Sequence, residues 1–281
     1  MLKFEVVWSI FILNCYEGKR LNNQEKDIIE WLKNLDSEFC FWDEIAKTQP
    51  QTFDEQKYSI ADFEPSVFTQ TKEIRVLDLG CGPRGALKDK YDLPSNIKLY
   101  ACDPLAFLYM DILKKYNLKP SRSIDFCLAE LLSAFYPKNY FDYIIAQNAL
   151  DHSINPQMAI QECLKVLKIG GVLYLKHEEN EAEVQKYSGL RKWNFSLDSN
   201  NDFVISNQTS SINVNEIYVD FAKVESKRSY VDSKVLINTK IEKQKGVEFL
   251  AELDNREVFK LYLTSFMAAI QEKIQESALQ K

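Results

Sequence analysis

Clustered positive charge is missing from this chain. Its 281 residues include 35 Lys and Arg against 41 Asp and Glu, a net charge of −6, and no basic run exceeds two residues. A protein that binds nucleic acid presents a basic patch to the phosphate backbone. We therefore expect no nucleic-acid partner. The acidic balance also disfavours an RNA substrate, although a tRNA recognised by a local patch stays open.

Closely spaced cysteine pairs are missing as well. The six cysteines are scattered along the chain, and none forms a C-x-x-C pair. Several lie inside apolar runs, where a thiol usually acts as a small core residue. This distribution indicates a reducing, cytoplasmic location. The cysteines are Cys15, Cys40, Cys81, Cys102, Cys127 and Cys163.

A membrane-spanning segment is not expected either. Residues 4–13 are apolar enough to imitate a signal peptide, and Asn14-Cys15 loosely imitates a lipoprotein cleavage site. However, Glu5 interrupts the stretch, Asn14 is not small, and so short a run cannot cross a bilayer core of about 30 Å. We expect this segment to form a packed strand or helix.

The chain divides by pattern into three parts, without an internal repeat. Apolar residues at helical spacing predict one or two amphipathic helices over residues 24–46, and a polar connection follows up to residue 70. We expect residues 1–70 to form a helical addition or lid, 71–245 an α/β domain, and 246–281 a helical extension. The last part could cap the monomer or form the seam of a homodimer.

Strands alternate with helices in the central part. Short β-branched runs predict strands, and Pro156 begins a helix that continues to residue 167. The last two predicted strands could form an antiparallel pair that closes the sheet. We therefore predict an α/β, Rossmann-like, doubly wound and mostly parallel sheet with an antiparallel last strand. The predicted strands are residues 74–79, 97–103, about 124–128, 141–146, 171–175, 203–206, 222–230 and 233–241.

A glycine loop and an acidic residue follow the first two predicted strands. The loop reads Asp78-Leu79-Gly80-Cys81-Gly82-Pro83, and glycines there let a ligand approach the backbone. Asp103 ends the second strand, where a carboxylate can accept both ribose hydroxyls of an adenosine cofactor. The Asp-x-Gly-x-Gly form favours S-adenosylmethionine (SAM) over the G-x-G-x-x-G loop of dinucleotide enzymes.

Several blocks of sequence resemble class I SAM-dependent methyltransferases of type 11. Across about residues 38–240 the chain is similar to a bacterial subgroup often encoded with surface-polysaccharide genes. One departure is visible: Arg191-Lys192 precedes Trp193, where that subgroup commonly has His-Gln, and this puts proton transfer at that place in doubt. The blocks are residues 76–83, 103–106, 148–153, 167–171, 177–183, 187–190 and 193–195.

The resemblance implies where SAM and its product S-adenosylhomocysteine would bind. The glycine loop and Asp78 would hold the amino-acid end, Asp103 the ribose, Ala129 and Glu130 the adenine, and Gln147-Asn148 the methionine end. Glu130 could instead be a solvated helix residue. The full set of candidate cofactor residues is Asp78, Gly80, Cys81, Gly82, Pro83, Asp103, Pro104, Leu105, Ala129, Glu130, Gln147 and Asn148.

Two histidines are the candidate bases, and the chain has no others. His152 follows the fourth predicted strand and His177 the fifth, so both belong at the carboxyl edge of the sheet, where open α/β folds bind ligands. Asp151 joins them as a third candidate catalytic residue. Alternatively, His152 caps or packs beside the next helix, and His177 only orients a loop.

The acceptor segment contains further polar and aromatic residues. A divalent metal is possible at Asp151, His152, His177, Glu178 and Glu181, but no diagnostic ligand spacing is present, so we predict no metal and a solvated, Glu-rich loop. Aromatic residues here, including Phe195, could stack on a sugar or simply pack. The candidate substrate-binding residues are Asn180, Glu181, Tyr187, Trp193 and Asn194.

These features predict an O-methyltransferase with a small acceptor, a hydroxyl of a nucleotide-linked sugar in capsule or lipopolysaccharide biosynthesis. The polysaccharide setting comes from the resemblance alone. Alternatives are methylation of another surface-glycan substituent, such as a phosphoramidate or amino group, and a non-catalytic SAM-binding protein. An NAD-dependent oxidoreductase shares the fold, but the form of the glycine loop disfavours it.

Overall fold

The computed structural model describes residues 23–53, 63, 71–85, 87, 93–119 and 122–247. The chain divides into two compact units, of which one is Glu38–Leu250 and the other contains the described residues 23–37. The packed element predicted at residues 4–13 and the helices predicted beyond residue 247 lie outside the described residues. The domain boundaries predicted at residues 70 and 245 stay predictions.

A seven-stranded sheet forms the centre of the larger unit, in the order β3-β2-β1-β4-β5-β10-β9. Strands β1 to β5 run parallel, and β10 lies antiparallel between β5 and the edge strand β9. The predicted Rossmann-like fold with an antiparallel last strand is confirmed. Its strands are β1 (Ile74–Leu79), β2 (Ile97–Asp103), β3 (Asp125–Phe126), β4 (Phe141–Gln147), β5 (Leu167–Glu178), β9 (Ala222–Val231) and β10 (Lys234–Lys243).

Six α-helices are present among the described residues. The apolar periodicity of residues 24–46 gives one continuous helix, and the Pro156 helix is capped by Asn155, whose side chain accepts a hydrogen bond from the backbone of Met158. The helices are α1 (Asn23–Thr48), α2 (Ala106–Lys115), α3 (Leu132–Phe135), α4 (Pro156–Val166), α5 (Glu181–Val184) and α6 (Val214–Tyr218).

A second, three-stranded antiparallel sheet was not expected. It contains β6 (Asn194–Leu197), β7 (Phe203–Ser206) and β8 (Ser211–Asn213), in that order. Of these, only β7 was predicted as a strand. The sheet lies beside β5, because Phe195 bridges to Glu179 and its ring contacts that of His177.

The core lies on the two faces of the large sheet. Central strands are buried along most of their length, as expected for parallel strands covered on both sides. Four described cysteines are buried free thiols, whereas Cys40 is exposed. Among the described residues, no helix has the length and apolar character that crossing a membrane requires.

Candidate active site

The predicted cofactor and acceptor residues lie at or after the carboxyl ends of the five strands β1 to β5. These strands are parallel neighbours in the sheet, so their carboxyl ends meet at one edge. The structure therefore brings the predicted cofactor residues and the predicted acceptor residues to the same edge of the sheet.

The glycine loop after β1 is shaped by packing within the protein. Gly80 and Gly82 both have positive φ, +65° and +64°. A Cβ at Gly80 would overlap the Cβ of Ala149, and one at Gly82 would lie 3.1 Å from Cζ2 of Trp42. Glycine is thus needed at these positions for the backbone conformation and for close packing, before any ligand is considered.

Asp103 ties the glycine loop to the end of β2. Its Oδ2 accepts a hydrogen bond from Gly82 N at 3.0 Å, and its Oδ1 accepts one from Leu105 N at 2.8 Å. The side chain is buried, and burial raises the pKa of Asp103 to about 7, although the two backbone donors oppose the shift. A carboxylate has about four lone-pair sites, so Asp103 retains acceptor capacity for a ligand beside these two backbone donors and the hydroxyl of Tyr109.

Asp78 is buried beneath the same loop. Its Oδ2 accepts a hydrogen bond from Leu87 N at 3.2 Å and lies 3.7 Å from Nη1 of Arg122. Arg122 also donates to the carbonyl of Leu87 at 2.7 Å. Sequence reasoning missed Arg122, and no motif could have indicated it, because it lies far along the chain between β2 and β3.

The predicted adenine-side residues lie in a short 3-10 helix, Ala129–Leu131. Glu130 is buried, and its Oε1 accepts hydrogen bonds from Ile154 N at 2.7 Å and Asn155 N at 3.0 Å. The alternative that Glu130 is a solvated helix residue is therefore wrong. Burial raises the pKa of Glu130, and its Oε2 has no hydrogen-bond partner among the described residues.

The remaining cofactor candidates line the same edge with varied exposure. Gln147 ends β4, and its Oε1 is a buried acceptor without a partner among the described residues. Asn148 follows with a φ of +42° and is exposed. Of the others, Pro104 is half-buried, and the buried ones are Cys81, Pro83 and Leu105.

One helix contributes residues that the sequence did not single out. Glu38 and Trp42 lie one turn apart on α1, within the larger unit, and Trp42 Nε1 donates to Glu38 Oε1 at 2.9 Å. The indole lies over Gly82 and makes edge contacts with Phe53 and Tyr109. Two side chains of this helix, Glu38 and Trp42, therefore lie at the glycine loop, where we expected the helix to act as a cover.

Three of the predicted acceptor-side residues form a tight cluster. Ligating atoms of Asp151, His152 and Glu181 all lie within 4.8 Å of one another. His152 Nε2 is 3.4 Å from Asp151 Oδ2, and Arg191 Nε donates to Glu181 Oε1 at 2.8 Å. Arg191, the departure from the subgroup pattern, thus pairs with a cluster member.

His177 is placed beneath this cluster and is 1% exposed. Its Nε2 accepts hydrogen bonds from Ala149 N at 3.3 Å and Leu150 N at 3.2 Å, so this nitrogen carries no proton. Burial lowers the pKa of His177 to about 3. The ring is therefore neutral, and its 3.4 Å contact with Asp151 Oδ1 is not an ion pair.

Burial also controls the charges within the cluster. It raises the pKa of Asp151 well above the ordinary value, and the nearby Glu181 carboxylate adds to the shift. The pKa of His152 is lowered, again chiefly by burial. The guanidinium of Arg191 opposes the upward shift of the Asp151 pKa.

The other predicted substrate residues bond to one another. Asn194 is buried; its Oδ1 accepts from Glu183 N at 2.9 Å, and its Nδ2 donates to Tyr187 Oη at 3.0 Å. Asn180 has a φ of +55° and begins α5, and Trp193 packs partly buried against the core. Glu178 pairs with Lys234 at 2.7 Å and does not join the cluster. These contacts favour structural roles for Asn194 and Tyr187.

Comparison with known proteins gives one family match. Residues 77–175 match the model of the methyltransferase domain family, which spans the glycine loop and β1 to β5. A search of curated proteins finds no match. The matched segment contains Asp78, the glycine loop and Asp103, which are the residues predicted to bind SAM.

Several solved structures are similar at low identity. A 16S rRNA N2 G1207 methyltransferase of T. thermophilus, in complex with AdoMet and guanosine, is 13% identical with a TM-score of 0.38, over 66% of this chain and 38% of that one. This chain thus spans little more than a third of that protein. The Burkholderia thailandensis 1,6-didemethyltoxoflavin N1-methyltransferase is 12% identical with a TM-score of 0.44, over 81% and 93%.

Proposed function

We propose that this chain transfers a methyl group from SAM to a small acceptor, a hydroxyl of a nucleotide-linked sugar used in capsule or lipopolysaccharide biosynthesis. The observation that carries the proposal is the pairing of Asp103 with the glycine loop at the end of β2. This pairing lies within the residues that match a methyltransferase domain. The sugar acceptor and its pathway rest on the resemblance of the sequence blocks.

The residues at the sheet edge fit SAM on physical grounds. Asp103 retains lone pairs for the ribose hydroxyls. The unpartnered Oε1 of Gln147 is a buried acceptor suited to the ammonium group of the methionine end. Bound SAM supplies an electrophilic methyl group on a sulfonium with a good leaving group. The task of the protein is then to position the acceptor and exclude water.

The cluster after β4 and β5 is the proposed acceptor side. In the transfer, the acceptor oxygen forms a bond to the methyl carbon, the carbon–sulfur bond breaks with its electron pair going to sulfur, and the hydroxyl proton leaves to a base. His152 is the proposed proton acceptor, because its side chain is 16% exposed whereas those of His177 and Asp151 are 1% and 3% exposed. Asp151 orients His152, and His177 holds the loop that carries both.

Turnover with defined acceptors tests the proposal. Purified protein would be incubated with labelled SAM and panels of nucleotide sugars, amino sugars and phosphoramidates, with release of S-adenosylhomocysteine as the readout. We expect nucleotide sugars to be methylated on a hydroxyl. The variant Asp103→Ala should lose about 100-fold in kcat/KM, because two hydrogen bonds to a charged group are lost.

An exposed carboxylate provides the matched control. Asp220 lies on the surface after α6, and Asp220→Asn should leave turnover unchanged. His152→Ala should lower turnover by about 10² to 10⁴. Methylation confined to amine or phosphoramidate acceptors would overturn the hydroxyl assignment, and a folded protein that binds SAM but methylates none of the panel would contradict the proposed activity.

A further inference from the structure

The cluster of Asp151, His152 and Glu181 has the geometry of a metal site. We propose that these three residues bind one divalent cation on the acceptor side of the fold. The inference rests on the proposed function for its role in catalysis, but the site itself follows from the side chains alone. It reverses the sequence-based expectation that no metal binds.

The spacing of the ligand atoms is the first argument. Zinc lies about 2.1 Å from imidazole nitrogen and carboxylate oxygen, which places tetrahedral neighbours about 3.4 Å apart. His152 Nε2 and Asp151 Oδ2 are 3.4 Å apart, and the Glu181 carboxylate falls within the 4.8 Å limit of the set.

Unpartnered buried oxygens are the second and independent argument. Both carboxylate oxygens of Asp151 and the Oε2 of Glu181 are buried, and among the described residues their only mutual contact is that between the two carboxyl groups themselves, with no donor from the rest of the protein. Asp151 is 2% exposed and Glu181 is 7% exposed. An oxygen buried in this way loses its hydrogen bonds to water and gains none from the surrounding protein. A bound cation would supply the missing interaction.

The surroundings hold the ligands in place. Arg191 binds the Oε1 of Glu181 at 2.8 Å and leaves Oε2 to the ion, as an outer partner of a metal-binding carboxylate does. Asp151 and His152 form a short 3-10 turn whose first residue, Leu150, donates its backbone N–H to the buried His177 ring. The ligands thus come from two neighbouring loops anchored to β4 and β5.

The donor set and the charge indicate the chemistry. One imidazole and two carboxylates suit Mn²⁺ or Zn²⁺, and three protein ligands leave positions open for a substrate oxygen. Two carboxylates, one divalent ion and Arg191 sum to a single positive charge. That charge complements an acceptor hydroxyl as it loses its proton, and coordination lowers the pKa of such an oxygen.

The metal site restricts the acceptor class and changes the role of His152. A cation with open positions favours an oxygen acceptor over an amine, in agreement with sugar hydroxyl methylation. A bound ion would be held by the ring nitrogen of His152 and would lower the pKa of the acceptor hydroxyl. His152 would then be a ligand instead of the proton acceptor, and the hydroxyl proton would leave to a water molecule.

Binding of Mn²⁺ alone tests the inference without any substrate. The protein would be treated with a chelator and titrated with Mn²⁺, and loss of the free-ion signal in electron paramagnetic resonance would count bound ions. Zn²⁺ would be titrated by calorimetry in parallel. We expect one ion per chain, with affinity at least 10-fold weaker in Asp151→Asn and in Glu181→Gln, since each variant replaces a charged carboxylate ligand by a neutral amide.

Glu183→Gln is the matched control, because Glu183 lies on the same helix as Glu181 but is exposed. It should bind Mn²⁺ as the wild type does. SAM affinity, measured on each variant, should stay unchanged and reports that the site edge is folded. If a protein that binds SAM takes up neither Mn²⁺ nor Zn²⁺, or if Glu181→Gln binds them equally well, the metal site is wrong, while the methyltransferase proposal still stands.

Discussion

Asp103 is the side chain whose ionisation bears most directly on cofactor binding. Burial raises the pKa of Asp103 to about 7, and the ionised carboxylate is the better acceptor for two ribose hydroxyls. SAM affinity should therefore increase as the pH rises through about 7, and it should fall toward tenfold per unit below that value. Calorimetry at a series of pH values measures the effect.

Asp103→Asn is the control for this pH dependence. Its amide does not titrate, so SAM should bind more weakly and with a flat profile once the ionisation of SAM itself is subtracted. An identical slope in the wild type and in Asp103→Asn would show that another group is responsible.

A further prediction for a single residue concerns the close packing of Gly80 against Ala149. Gly80→Ala should destabilise the fold by more than the roughly 1–2 kcal/mol that a left-handed backbone costs, because the new Cβ overlaps that of Ala149. Adding Ala149→Gly should recover the stability lost to the steric overlap, but not the stability lost to the left-handed backbone. Urea unfolding of both variants would show this, and failure of the second change to recover stability would contradict the packing argument.

Substitution of His177 can distinguish a structural role of this residue from a catalytic one. Replacing it by Ala leaves two buried backbone N–H groups without their acceptor, which should cost about 2–4 kcal/mol of unfolding free energy. His152→Ala, at a more exposed ring, should cost much less stability. Denaturation of both variants tests the assignment: if His177→Ala unfolds like the wild type but loses turnover, His177 is catalytic after all.

At the scale of elements, the start of helix α4 adjoins the acceptor loop, the turn that carries Asp151 and His152. A change at the start of this helix should therefore affect both stability and turnover. Asn155 caps the helix directly after the turn that carries Asp151 and His152, and its own N–H is held by Glu130. Asn155→Ala should cost about 1 kcal/mol of stability and also lower turnover. The measurements are urea unfolding and kcat/KM.

Asn213 provides a cap of the same kind at another helix, where it accepts from Glu216 N at 3.1 Å. Asn213→Ala should therefore lower stability to a similar extent and leave turnover unchanged. Equal loss of turnover in both variants would mean that α4 has no special link to the acceptor loop.

Strands were predictable where the pattern was local. The run at 74–79 and the acid-terminated run at 97–103 were predicted with the observed bounds, because β-branched runs followed by a loop are visible in sequence. Strand β5 is longer than predicted, since its carboxyl half pairs with β10 as far as Glu178. Strand β6 was missed because its four residues, Asn-Phe-Ser-Leu, include no β-branched residue.

At the scale of the whole molecule, the sequence predicted at which edge of the sheet the site lies. It did not predict which side chains contact one another there. Which strands carry the glycine loop and the two histidines follows from element order. The pairing of Arg122 with Asp78, the indole of Trp42 over Gly82 and the pairing of Arg191 with Glu181 depend on the packing of separate segments. Asp151, His152 and Glu181 were named from the sequence as possible metal ligands, but their close spacing could not be predicted, because it requires two loops to converge.

The most direct test of the account is calorimetric titration of the purified chain with SAM, S-adenosylhomocysteine and NAD, using wild type, Asp103→Ala and Asp220→Asn. We predict one SAM per chain at about micromolar affinity, roughly −8 kcal/mol, weakened about 100-fold in Asp103→Ala and retained in Asp220→Asn, and no binding of NAD. A well-folded protein that binds neither SAM nor its product, or that binds NAD through Asp103, would contradict it.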